Sequence, residues 1–379
     1  MKLRRSARAS LGPLLLAATS ALGPSIPPLP IAGPPLPAAS PTAASPTAAS
    51  ADPIGPEGTW TLTFGGDTLL TRRIGDRIDP FAGIRPPLAE SDLAIVNLET
   101  AVSTRGRAQA KTFTFRSPPT FADRINASGI DVVSLANNHS LDFGLQALFD
   151  TIDNLDRASV AYVGAGRTLN EALAPATFEI SGTSVAVLGA SQIIPNGAWP
   201  ATLTRPGIAS AGKHVINRET QQLLAAVRSA KEVNDVVIVV MHWGIEGDPC
   251  PSVVQRQLGR LLRDNGATAV LGAHPHILQP IVRDVRPGPL AETDGGIDEG
   301  VIAYSLGNFI WDPRSGATGE TGTIQLRFTK AQLSAMTFSP HRLDANGWAQ
   351  AVNRFSARGQ AIAARVGRAC PGADGVSEW

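Results

Sequence analysis

The chain has 379 residues, with 33 Lys and Arg against 32 Asp and Glu, a net charge of +1 and only 17% charged residues. That balance argues against a nucleic-acid binder, which needs a surplus of cations collected on one face. No apolar run reaches the roughly 18 residues of a transmembrane helix, so a polytopic membrane protein is excluded. Two cysteines, Cys250 and Cys370, are too few for a disulfide-rich scaffold or a cysteine-type zinc site.

In chain order, the basic stretch Lys2, Arg4, Arg5 and Arg8 precedes the apolar segment LGPLLLAATSALG at 11–23. A basic start, a short apolar core and small residues at its end read as a secretory signal peptide over 1–23. The Arg4-Arg5 pair also permits twin-arginine export. An uncleaved anchor is the alternative, and Pro13 and the short apolar core speak against it. Every version predicts export, to the cell envelope or the medium. Residues 24–57 follow as a Pro/Ala-rich spacer; with 11 of the 33 positions from 24 to 56 being Pro, the segment cannot bury enough apolar surface to offset its ordering entropy. Its repeat SPTAASPTAAS (Ser40 to Ser50) has the composition of an O-glycosylated stalk. Export places Cys250 and Cys370 in an oxidising compartment, where they are a candidate disulfide closing a long loop; two free thiols are the alternative.

Residues 58–379 read as one α/β domain. Short, continuously apolar runs of the kind that form strands covered on both faces end in polar residues. They are Trp60 to Phe64 before Gly65-Gly66-Asp67, Leu93 to Val96 before Asn97-Leu98-Glu99, and Val132 to Leu135 before Asn137-Asn138-His139. The pattern returns with Val236 to Met241 before His242, Ala269 to Leu271 before His274-Pro275-His276, and Val301 to Leu306 before Gly307-Asn308. Helical spacing covers Pro118 to Ser128, Leu145 to Arg157, Arg218 to Val233 and Ser252 to Asn265, the last with Val253, Leu258, Leu261 and Leu262 toward the sheet. A hairpin is expected at Phe178 to Leu188, turning at Gly182-Thr183, which makes the sheet mixed. Gly295-Gly296 and Gly319 to Gly322 read as flexible loops. The tail adds a strand near Met336 to Phe338 and an Arg-rich helix from Asn353 to Arg368, read as a solvated face.

In such architectures ligands bind beyond the carboxyl ends of strands, and every polar group above falls there. The gathered set is Asp67, Glu99, Asn137, Asn138, His139, Asp142, His242, His274 and His276, holding four of the six His of the chain. Carboxylates, an amide oxygen and neutral imidazoles are ligands of divalent Mn, Zn and Fe. One His alone would be an ordinary packed residue, but four at successive strand ends predict a metal site. Asp142 is either a partner of His139 or a carboxylate at the start of the following helix. Asn308 is expected in the turn after the last strand, either bonding within the site or serving as a plain turn residue. Glu246 is read as solvated.

These residues carry a resemblance. GGD at 65–67, VNLE at 96–99, ANNHSLDFG at 136–144, HWG at 242–244, GAHPH at 272–276 and YSLGNF at 304–309 resemble the CapA family of bacterial capsule and poly-γ-glutamate synthesis proteins. That family is similar in turn to the calcineurin-like metallophosphatases. The resemblance implies a four-layer α/β/β/α sandwich of two mixed sheets with one or two divalent ions at its strand ends. Position by position, Asp67 resembles the first metal-binding aspartate, Glu99 a carboxylate bridging two ions, and Asn138 an asparagine ligand of the second ion. His242 and His274 resemble ligands of the second ion and His276 of the first. His139 resembles a catalytic histidine and Asp142 its orienting partner, with Asn137 and Asn308 in secondary positions. One departure stands out: the metallophosphatases carry His two residues after the first aspartate, where this chain has Leu69.

Two readings follow. One is an exported metal-dependent hydrolase of a phosphate ester or a γ-amide polymer bond. The other is a non-catalytic component of the capsule machinery that binds or guides an acidic polymer such as poly-γ-glutamate, alongside capsule-synthesis membrane proteins. A vestigial site on a wall-associated protein is a weaker third. Leu69 favours the non-catalytic readings; His139 beside a ligand-type asparagine favours the enzyme.

Overall fold

The computed structural model describes residues 57–70, 79–287 and 297–371. The segment expected to be a signal peptide, nearly all of the expected spacer and Gly295-Gly296 lie outside them.

Two mixed sheets stack face to face between layers of helix. The first runs in the order Ala349–Ala351, Gln332–Leu343, Glu320–Thr329, Thr59–Thr68, Leu93–Leu98, Val132–Ser134 and Ala161–Val163, with Asn308–Ile310 pairing parallel to the end of Thr59–Thr68. The second runs Ile281–Pro287, Ile297–Ala303, Ala269–Ala273, Val236–His242, Thr183–Ser191 and Ala176–Ile180. This is the four-layer α/β arrangement expected from the sequence.

The apolar runs are continuous because both faces of each central strand are covered, and alternate residues serve different layers. Val236, Ile238 and Val240 join Leu62, Phe64, Ile95 and Val132 in the core between the sheets. Their neighbours Val237, Val239 and Met241 pack instead with Leu223, Val227, Leu258 and Leu262 of helices Arg218–Val233 and Val253–Asp264. On the other side Ala94, Val96 and Val133 meet Phe121, Ile125, Leu148, Ile152 and Leu155 of helices Phe121–Ser128 and Gly144–Arg157. Helix starts are set locally. Asn217 accepts from the Thr220 N–H at 2.7 Å, and Ser252 and Gln255 form a reciprocal capping box.

Several expectations are corrected. Val253 is exposed, because as the first helical residue it falls off the stripe made by Gln255, Leu258, Gly259 and Leu262. The hairpin turns at Ser181-Gly182, one residue earlier than expected; both have positive φ (52° and 76°), as a tight two-residue turn requires. Val301 to Leu306 is not one strand: it ends at Ala303, and the chain crosses between the sheets so that Asn308 opens a new strand beside Asp67. Gly319 to Gly322 is not a loose loop, since Glu320–Thr329 is a ten-residue strand pairing with both Thr59–Thr68 and Gln332–Leu343. The C-terminal helix Ala357–Val366 buries Ile362 and Val366 against the inter-sheet core, and its Arg365 Nε bonds Glu320 at 3.0 Å.

Cys250 and Cys370 form a disulfide across 120 residues. It ties the segment after the C-terminal helix to the loop that follows His242. The chain-entropy model gives a closure of this length on the order of 4–5 kcal/mol. The double variant Cys250→Ser, Cys370→Ser is therefore expected to lose about that much unfolding free energy in urea; a loss under ~1 kcal/mol would show that the closure does not stabilise the chain. Such a bond also fits an oxidising compartment. Among the described residues no helix is long and apolar enough to cross a membrane.

Candidate metal centre

The six expected ligands come from both sheets. Strand Thr59–Thr68 shifts register between Phe64 and Asp67, a bulge that depends on Gly65-Gly66. A Cβ on Gly66 would stand 1.9 Å from the Gly307 carbonyl oxygen, and one on Gly65 2.7 Å from the Phe309 ring. That close approach lets the Asp67 N–H donate to Gly307 O at 2.9 Å. The Asp67 carboxylate then accepts from the His274 backbone N–H of the second sheet at 3.1 Å. Glu99 follows strand Leu93–Leu98, its N–H donating to Thr68 O at 2.9 Å. Asn138 and His139 lie in the turn after Val132–Ser134. Facing them, His242 is the last residue of its strand, while His274 and His276 follow Ala269–Ala273 in a turn at φ 98° and 57°. Those left-handed conformations around Pro275 swing both rings inward, and they are costly for non-glycine residues.

The donors converge on Glu99. Its Oε1 lies 3.6 Å from His242 Nε2, and 4.0 Å from both His139 Nε2 and His276 Nε2. Asp67 Oδ2 is 3.2 Å from His276 Nδ1, and His242 Nε2 is 2.7 Å from Asn138 Oδ1. Asp67, Glu99 and His242 offer donor atoms within 4.8 Å of one another, and so do Glu99, His274 and His276. Glu99 thus belongs to both groups, as a bridging carboxylate would. The resemblance pairs His276 with Asp67 and His242 with His274, whereas by distance His242 groups with Asp67 and His274 with His276, each group sharing Glu99.

The arrangement fits a cation. Glu99 Oε1, His274 Nδ1 and Asn308 Oδ1 are buried without a hydrogen-bond partner among the described residues. Such orphaned atoms cost free energy unless something charged or polar satisfies them. Burial and the neighbouring Asp67 carboxylate push the Glu99 carboxyl well above its usual range. Burial also raises Asp67, but His276, Asn97 and the His274 N–H outweigh it and hold that carboxyl below normal. Burial, reinforced by the other imidazoles, drives His242 well below its ordinary value and, with His276, brings His274 down to about 3. Neutral imidazoles with free lone pairs are the ligand form.

His139 stands beside this cluster. Its Nδ1 is 2.7 Å from Asp142 Oδ2, and its ring lies 4.2 Å from the Phe115 ring. Burial lowers its basicity while Asp142 opposes that shift. Asp142 is fully buried and also accepts from the Phe115 N–H at 2.6 Å and Lys111 Nζ at 2.7 Å. Helix Gly144–Arg157 has Phe143 at its N-cap with no side-chain cap bond, so the carboxylate serves His139 and not the helix end. Asn137 Oδ1 accepts from the His139 N–H at 3.0 Å, fixing the turn. Asn308 is in a strand and not the expected turn; its amide donates to His276 O at 3.3 Å and Thr318 O at 3.0 Å. Leu69 is fully buried in the core facing the helices, so no donor enters the cluster from that position. Glu246 is exposed at the rim.

Two residues escaped the sequence reading. Asn97, named only as a strand-end polar residue, is fully buried at the centre. Its amide donates to Asp67 Oδ1 at 2.8 Å and lies 3.2 Å from His242 Nδ1. It faces the same way as Glu99 two residues on, a period-2 relation that could have marked it. Lys111, from an irregular loop, gave no such signal.

The chain is thus a four-layer α/β sandwich with a carboxylate–imidazole cluster where the strand ends of its two sheets face each other. The family model described as "Bacterial capsule synthesis protein PGA_cap" matches residues 61–313, and the chain belongs to that family. It is 30% identical over 279 residues to "PGA biosynthesis protein CapA" of Bacillus subtilis (strain 168), covering 71% of this chain and 67% of that protein. It is 29% identical over 276 residues to "Capsule biosynthesis protein CapA" of Bacillus anthracis, covering 70% and 63%. The chain thus spans about two thirds of the length of these relatives. Among solved structures it is similar to a hypothetical protein from Thermus thermophilus, at 16% identity and TM-score 0.46, covering 76% of this chain and 99% of that one.

Proposed function

We propose that this is an exported capsule-synthesis protein whose cluster holds one or two divalent ions, Mn, Zn or Fe, and hydrolyses a phosphate ester or polymer bond at the cell envelope. The observation that carries the reading is His139, oriented by Asp142 at 2.7 Å and placed beside, not within, the donor cluster. A purely structural metal site has no use for such a pair.

Asp67, Glu99, Asn138, His242, His274 and His276 would hold the cation, with Asn97 positioning Asp67 and His242. A divalent ion bound there would supply Lewis acidity and a nucleophile from water at neutral pH. His139 gives Nδ1–H to Asp142, which leaves Nε2 on the side of the cluster to carry a proton to the departing oxygen. Water adds its oxygen to phosphorus, the ester P–O bond breaks, the alcohol leaves with the proton from His139, and the proton given up by the water restores that ring. Asp142 keeps the ring in one tautomer, and Phe115 fixes its plane.

Poly-γ-glutamate or another acidic envelope polymer, and capsule-synthesis membrane proteins, are the partners this family setting suggests. The second reading, a polymer-binding component without turnover, is favoured by Leu69. Elemental analysis of the purified protein alongside hydrolysis of an aryl phosphate diester with Mn or Zn separates the two. One to two metals per chain with turnover supports the hydrolase; metal without turnover supports the binding component.

A further inference from the structure

The cluster opens into a cavity of about 690 Å³. Its floor and rim differ in chemistry. At the floor, Lys111 Nζ is held by Asn138 O at 2.5 Å and Asp142 Oδ1 at 2.7 Å. His139 Nδ1, 3.3 Å away, already donates to Asp142 and so does not accept from the ammonium. The ammonium also lies 5.4 Å from the centre of the Trp199 ring, and Lys111 lines the cavity together with His139 and His274, where its positive charge faces any anion that enters. Two fixed hydrogen bonds give that cation a defined position, unlike a free surface lysine.

The rim is apolar. Phe113, Ile193, Ile194, Ile245 and Val254 line it, and Phe113 and Ile245 are 67% and 57% exposed. Large side chains left in water around a cavity mouth mark where an apolar ligand is covered. A polyanion would instead call for a ring of cations. The lining offers Lys213 besides Lys111, and sets the carboxylate of Glu246 against them. A phosphoryl group fills only a small part of this volume, and around the remainder the apolar side chains stand among Thr112, Gln192 and Ser252.

We propose that the site takes an amphiphilic phosphate ester, with the phosphoryl oxygens on Lys111 and an extended hydrocarbon alcohol against Phe113, Ile245 and their neighbours. The reaction assigned to this ligand rests on the hydrolase reading; its recognition does not. Hydrolysis would release inorganic phosphate and the free apolar alcohol, with water supplying the oxygen to phosphorus and the proton to the alcohol.

The test is calorimetric titration of the full chain, supplied with Mn, with ethyl phosphate, hexyl phosphate and a γ-linked glutamate tetramer. A buried methylene is worth about fourfold in affinity, so four partly covered ones should make hexyl phosphate at least about tenfold tighter than ethyl phosphate. The double variant Phe113→Ser, Ile245→Ser, altered only at exposed positions, should bring that ratio below about threefold. Lys111→Met should weaken both phosphates about tenfold and leave their ratio standing. Equal binding of the two phosphates, tighter binding of the glutamate tetramer, or no binding of any of the three overturns the proposal. Chain-length dependence without turnover of the aryl diester removes the hydrolase reading and leaves the proposal in place; turnover without chain-length dependence does the reverse.

Discussion

Replacing His139 by alanine is expected to lower hydrolysis about 10²–10⁴-fold, the usual size of a general-acid contribution, while bound metal stays at the wild-type level. The separation follows from position. His139 belongs to neither group of donor atoms lying within 4.8 Å of one another, and its Nδ1 is committed to Asp142. The fold should survive, because Asp142 keeps Lys111 and the Phe115 N–H as partners and is not left as an isolated buried charge. Turnover and elemental analysis on the same preparation read both halves. Undiminished turnover would remove His139 from the chemistry, and loss of metal would make it a ligand.

His242→Ala should lose both. That imidazole contacts Asn138 Oδ1, approaches Glu99 Oε1 and lies against Asn97, so its removal opens the cluster at its most connected point. Thermal denaturation gives a readout independent of activity. A ligand present at a hundred times its dissociation constant stabilises the native state by about 2.7 kcal/mol, so added Mn should raise the wild-type melting temperature and leave the variant unmoved. An equal shift in both proteins would place the ion elsewhere.

Much of this was legible before any fold was known, because buried central strands leave continuous apolar runs and their ends are where polar residues gather. Asp67, Glu99, Asn138, His242, His274 and His276 come together for that reason. What failed to show was of two kinds. Strand Glu320–Thr329 was hidden by its glycines, although Ile324, Leu326 and Phe328 are buried on one face while Arg327 is exposed on the other, a period-2 signal present in the sequence. Lys111 and Phe115 had no periodicity to betray them. Their loop is fixed by scattered bonds: Arg116 to the carbonyls of Thr104 and Arg105, and the Gln109 N–H to Asp142 O. Such contacts follow from the folded shape and leave no pattern in the chain. Tyr304 to Leu306, the start of the crossover, read as strand because Tyr304 and Leu306 are as apolar, and as buried, as the residues of the strand before them.

That crossover, with the clustered carboxylates and imidazoles on either side of it, makes the site a rivet between two slabs. Asp67, Glu99 and Asn138 belong to one slab and His242, His274 and His276 to the other. Sliding one sheet along the other would part these side chains, since most of the remaining interface between the sheets is apolar contact without direction. The geometry of the cluster and the register of the two halves are therefore one property, and neither can drift without the other.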